Sequence, residues 1–117
     1  MRGRLSDKER LGFIILSIRE LEEALLRIDY ETFANDFLIR HGVTKIVENI
    51  CESTILISPE IKLKYPEVAW RDMKTMRNYL THEYFGINFH QVWKVSNDDI
   101  PILKEQILKI LAESFGE

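Results

Sequence analysis

An all-α fold is what this 117-residue sequence predicts, on three observations. Apolar residues recur at helical spacing along most of the chain. The residues that start and stop helices fall between those runs. Valine and isoleucine are common, yet no stretch shows the alternation of a half-buried strand. The expected architecture is an antiparallel bundle of about five helices.

The first helix opens at Ser6-Asp7-Lys8-Glu9, which has the layout of a capping box. Leu11, Ile14, Ile15, Ile18, Leu21, Leu25 and Ile28 then repeat at helical intervals. Glu22 falls inside that apolar arc, so it belongs at the edge or beside a buried cation. A second, central helix is expected from Thr32 to Ile57. Phe33, Phe37, Val47, Cys51 and Ile55 lie on one side of it, and Leu38, Val43, Ile46 and Ile50 widen the apolar face. Gly42 weakens this helix or permits a close approach. Ser58-Pro59 ends it, because proline disfavours helix in the residue before it.

A third helix is expected from Pro66 to His82. Ala69, Met73, Met76 and Leu80 form a narrow stripe that should face the core. Arg77 lies about 60° from the centre of that stripe, on the same flank as Lys74 and Thr81. Packing can therefore orient Arg77 while its guanidinium still reaches a ligand. Gly86 breaks this helix. Phe89, Val92 and Trp93 suggest a short fourth one, and Asp98, Asp99 and Pro101 have the look of another helix start. Leu103, Ile107, Ile110 and Leu111 continue that last helix.

Bulk numbers narrow the class. The length suits one domain spanning residues 1–117, and 45% hydrophobic with 30% charged residues is an ordinary globular balance. The lone Cys51 cannot form an internal disulfide, which fits a reducing compartment. The longest apolar run, Leu11 to Ile18, is too short to cross a bilayer and lacks the layout of a signal peptide. A cytoplasmic protein with no membrane partner is the expectation. The net charge of −3 argues against coating nucleic acid by electrostatics alone. The positive charge is uneven, however. Lys62, Lys64, Arg71, Lys74 and Arg77 outnumber Glu67 and Asp72 in the stretch that leads into the next motif.

That motif is Arg77-Asn78-Tyr79-Leu80-Thr81-His82-Glu83-Tyr84, an R-x4-H-x-Y string. Histidine can move protons near neutral pH. Arginine can clamp a phosphate or stabilise charge that builds on it. Tyrosine offers a hydroxyl to aim or to be modified. These groups are what metal-free RNA cleavage needs. Taken alone, the string also fits a helix that ends in a polar turn, with His82 near the last carbonyls and Arg77 in a salt bridge. No carboxylate pair stands at helical spacing beside the motif and no Cys/His cluster accompanies it, so neither a metal nor a cofactor is called for. His41 and His90 are expected to be structural or exposed, and Cys51 to be packed.

The motif does not stand alone. Tyr65-Pro66-Glu67-Val68-Ala69-Trp70 lies upstream; Phe85-Gly86, Val92-Trp93 and Ile100-Pro101-Ile102-Leu103 follow it. With these marks, residues 37 to 103 resemble the HepT-like branch of the HEPN superfamily. One departure is visible: the family's Gly-Glu-Ala in the middle of helix two reads Cys51-Glu52-Ser53 here, with the glutamate kept.

The resemblance implies a small helical bundle that pairs as a two-fold homodimer, with two copies of the motif facing across a cleft. It implies the toxin of a toxin–antitoxin pair, acting as a metal-independent ribonuclease. It also implies a minimal nucleotidyltransferase partner that transfers AMP to the motif tyrosine. On this basis Arg77 and His82 are the expected catalytic residues, with Asn78 and Tyr84 in support. Tyr84 is the expected acceptor of AMP, and Tyr79 the sharpest control, being placed about 100° from the core stripe where exposure is expected. An alternative keeps the same residues without cleavage: a binding and acceptor subunit for the nucleotidyltransferase.

Overall fold

The computed structural model describes residues 5–83 and 86–117. Among them the regular structure is all helical, with short turns between the helices. Its elements are α1 (Asp7–Leu25), α2 (Tyr30–Asn35), α3 (Phe37–Ile55), α4 (Pro59–Lys64), α5 (Trp70–His82), α6 (Phe89–Lys94), a π-helical turn (Val95–Asp99) and α7 (Ile100–Phe115).

The capping box forms as the sequence predicts. Ser6 Oγ accepts the Glu9 N–H at 3.1 Å, and Glu9 Oε1 accepts the Ser6 N–H at 3.2 Å. Leu11, Ile14, Ile15, Ile18 and Leu21 are buried along α1, which packs on α3 and α7. Glu22 lies at the edge of the core, where Lys104 Nζ on α7, itself only partly buried, reaches it at 3.0 Å.

Helix two is interrupted where the sequence predicted continuity. Asp36 has an extended backbone, φ −112° and ψ 110°, and separates α2 from α3. Its carboxylate accepts the N–H groups of Leu38 and Ile39 at 2.9 and 3.2 Å. Short acidic side chains compete for nearby backbone donors in this way, and the competition favours a cap over a helix interior. Asp29 caps α2 similarly, accepting Thr32 N–H at 2.8 Å, and this bond holds its carboxyl below the usual value. The turn lets α2 fold over the end of α3 and bury Phe33 completely. Gly42 meets no close neighbour, so the close approach that its position permits is absent.

Past Ser58-Pro59 a further short helix, α4, appears that periodicity did not announce. Ser58 caps it and is itself held by Asp7, whose carboxylate accepts the Ser58 N–H at 3.0 Å and the hydroxyl at 2.6 Å. Lys62 of α4 donates to the Ile55 carbonyl at the end of α3, at 2.8 Å; burial, then Lys74, pushes its pKa down.

Helix α5 begins at Trp70 rather than Pro66. The Tyr65 carbonyl is engaged by Val68 N–H at 3.2 Å and by Trp70 Nε1 at 3.0 Å, which winds residues 65–69 into a turn. Tyr65 is buried, and its hydroxyl donates to Glu113 Oε1 at 3.1 Å, with Ser114 Oγ at 2.8 Å. Ala69, expected in the core stripe, is therefore exposed ahead of the helix, and Val68 is buried in its place.

The last predicted boundary also changes. Asp98 and Asp99 do not start a new helix: Asp99 keeps helical dihedrals and makes no side-chain cap. The chain passes from α6 to α7 through the π turn, in which Ile100 N–H reaches the Val95 carbonyl. Pro101 supplies the reason. It has no N–H, and its ring crowds the preceding turn, so a wider turn accommodates it. Ser96 and Asn97 side chains donate to the Val92 and Trp93 carbonyls at 2.8 and 2.9 Å. Gly116 ends α7 with φ +72°, a left-handed conformation suited to glycine.

No helix among the described residues is long and apolar enough to cross a membrane.

Candidate functional site

Helices α3 and α5 pack against each other, and two polar contacts set their antiparallel register. Thr81 Oγ1 donates to Glu48 Oε2 at 3.2 Å. One helical turn earlier on α5 and one turn later on α3, Arg77 Nε lies 3.3 Å from Glu52 Oε2. Beneath them Met73 and Leu80 are buried, with Met73 Sδ 3.9 Å from Cys51 Sγ. Arg77 thus sits at the margin of the core as its place on the helix predicts, with its side chain 27% exposed.

The Arg77–Glu52 contact is an ion pair without hydrogen-bond geometry, and the Nε atom is buried. Glu52 therefore orients the guanidinium through charge. A guanidinium carries four further N–H donors on its terminal nitrogens, which suit a phosphate. His82 is exposed at the last position of α5. It lies five positions past Arg77, about 7.5 Å along the axis and about 140° around it. No hydrogen bond or ion pair among the described residues joins the two. Asn78, next to Arg77, is exposed. Tyr84 lies outside the described residues.

Tyr79 departs from its expected exposure. It is half-buried, and its hydroxyl donates to the Gly86 carbonyl at 3.1 Å and accepts the Asn88 N–H at 2.6 Å. Asn88 in turn caps α6, accepting Gln91 N–H at 3.2 Å. One phenol on the motif helix thereby fastens the return of the chain into α6.

His41 and His90 are exposed, each beside an aromatic ring: His41 edge-on to Phe89 at 5.8 Å and His90 edge-on to Tyr30 at 5.4 Å. Cys51 is fully buried. Burial, reinforced by Glu48, pushes its thiol up to about 12. Among the described residues no three His, Cys, Asp or Glu side chains gather where a metal could be held.

Sequence reasoning missed Glu48, Glu52 and Tyr79 as parts of this site. A signal existed for the glutamates. Glu48 and Glu52 are four apart, as are Arg77 and Thr81, so two antiparallel helices could match them pairwise. Nothing local marked Tyr79, because its partners follow a break in the helix.

Comparison with known proteins places this geometry in context. The family model described as Ribonuclease HepT-like matches residues 14–110. The Methanocaldococcus jannaschii protein named "Putative RNase MJ1380" is 35% identical over 94 residues, which cover 80% of this chain and 86% of that protein. The Thermococcus cleftensis protein named "Probable ribonuclease HepT" is 35% identical over 105 residues, covering 90% and 96% respectively. No solved structure matches the chain.

Proposed function

The chain belongs to the ribonuclease HepT-like family, and on that premise we propose that it is the ribonuclease toxin of a toxin–antitoxin pair. What supports the assignment to this motif is the placement of Arg77, held half-buried by Glu52 on the same helix whose exposed last residue is His82.

In the proposed reaction the ribose 2′-oxygen attacks the adjacent phosphorus. His82 accepts the 2′-hydroxyl proton as general base. Arg77 stabilises the added negative charge on the pentacovalent phosphorane through its terminal N–H groups. The bond to the 5′-oxygen then breaks, and that oxygen takes a proton. The products are a 2′,3′-cyclic phosphate and a free 5′-hydroxyl. One histidine is poorly suited to serve as base and acid in the same turnover. A second His82, brought by a symmetric copy, supplies the acid. The large angle between Arg77 and His82 on one helix fits a site completed by two chains.

Asn78, exposed beside Arg77, contributes a hydrogen bond to the substrate. Tyr84 orients the phosphate or a base in the active chain. AMP transferred to Tyr84 by a minimal nucleotidyltransferase places a phosphate where it competes for Arg77, which silences cleavage.

Arg77→Ala and His82→Ala test the assignment. Each is expected to abolish growth arrest on expression and RNA cleavage by the purified chain, with the circular dichroism spectrum unchanged. Folded variants that still cleave would remove this motif from the chemistry. Wild-type chain that neither arrests growth nor cleaves RNA would favour an acceptor subunit without catalysis.

A further inference from the structure

The motif helix packs on α3, and the gap between α5 and the rod formed by α6, the π turn and α7 stays open as a groove. Two adjoining cavities of about 410 and 200 Å³ make it up, sharing Asp72, Met73 and Asp99. Its floor is apolar: Met73 and Met76 on one wall, Val95 and Leu103 on the other. Both shared carboxylates are exposed, and no lysine or arginine lines either cavity. At the rim Ile102 is 61% exposed, an apolar side chain left open to water.

We propose that this groove is a docking site for a short amphipathic helix of a partner protein, apolar on the face it presents and flanked by lysine or arginine. Three features select that occupant. Carboxylates on opposite walls repel phosphate, which disfavours RNA, and attract basic side chains. Methionines adapt their shape to the apolar residues of an incoming helix, and a helix laid in an apolar groove reads such a surface at i, i+3 and i+4. The wall from Ala69 to Tyr79 is about 15 Å long, enough for about three helical turns.

The groove leaves Arg77 clear but runs up to the flank of His82. On α5 its residues lie away from Arg77, which faces Glu52, while His82 falls within about 60° of Tyr79 at the groove's end. The groove ends at Tyr79, whose hydroxyl holds Gly86 and Asn88. A docked helix therefore touches the residue that fastens the chain after His82 without covering Arg77.

Fluorescence anisotropy with a labelled Leu/Lys amphipathic peptide of about eighteen residues, about five turns of helix, tests the groove. The wild-type chain is expected to bind this peptide and not its Leu/Glu counterpart. Asp72→Lys with Asp99→Lys should weaken binding about tenfold or more. Glu20→Lys with Glu31→Lys makes the same change in net charge elsewhere and should leave affinity within about twofold. The methyl resonances of Met73 and Met76 should shift on binding. If the double reversal disturbs folding, Asp72→Asn with Asp99→Asn gives the same comparison. Absence of binding to the wild type, equal loss in both double variants, or unmoved Met73 and Met76 resonances would overturn the proposal. So would a groove variant that turns a dimer into a monomer, since a second copy would then be the occupant.

Discussion

At the scale of single residues, the site is built from groups whose partners lie far away in the chain. Arg77 has its place because Glu52, on another helix, holds it by charge. Cys51 shows the opposite case, a potentially reactive group made inert by its surroundings. It is fully buried, and burial pushes the thiol up to about 12. Only the thiolate attacks, so at pH 8 the folded chain presents almost none. Iodoacetamide followed by intact-mass measurement should find Cys51 unlabelled in the native protein and fully labelled in denaturant. Rapid labelling of the native chain would mean that the packing between α3 and α5 opens readily.

At the scale of elements, short polar side chains decide where helices stop, even where the apolar pattern runs on. Asp36 divides an apolar stretch that reads as one helix, because it satisfies two backbone donors of α3. Asp36→Ala should therefore destabilise the chain by about 1 kcal/mol, measured by urea unfolding. An unchanged midpoint would show that packing of Phe33 alone sets the break. The burial of Met73 and Leu80 was legible from spacing, as was the position of Arg77 at the stripe's margin; Met76, read as part of the same stripe, is only partly buried and lines the groove. The start of α5 was not, because it depends on Trp70 reaching back to the Tyr65 carbonyl. The π turn was hidden for a related reason. Asp98-Asp99 with Pro101 is compatible with a new helix or with a widened continuous one, and the packing of Val95, Ser96 and Ile100 into the core selects the second.

For the whole molecule, two expectations concern assembly and control. In the proposed mechanism a second copy completes a motif with one histidine, so sedimentation should give a dimer at micromolar concentration. A monomer that still cleaves RNA would require a different general acid. The second expectation concerns where AMP goes. Tyr79 has its hydroxyl engaged by Gly86 and Asn88, and modification there would break both bonds. Co-expression with a minimal nucleotidyltransferase, followed by peptide mapping, should therefore place AMP on Tyr84 and leave Tyr79 free. A Tyr84→Phe variant still neutralised by the enzyme would reject this switch.

The sequence by itself determined the helical class, most of the buried face of α1 and α5, and the motif with its flanking marks. These depend on periodicity and on residue identity, both of which are local properties. It carried the family resemblance for the same reason, since short strings at fixed intervals are visible without coordinates. Only the tertiary structure decided that Glu52 holds Arg77, that Glu48 holds Thr81, that Tyr79 fastens Asn88, and that a groove with an acidic rim lies along the motif helix. Each of these joins groups whose separation in space is set by how helices pack. A single sequence states which side chains are available, and the relative placement of α3, α5 and α7 determines which of them meet.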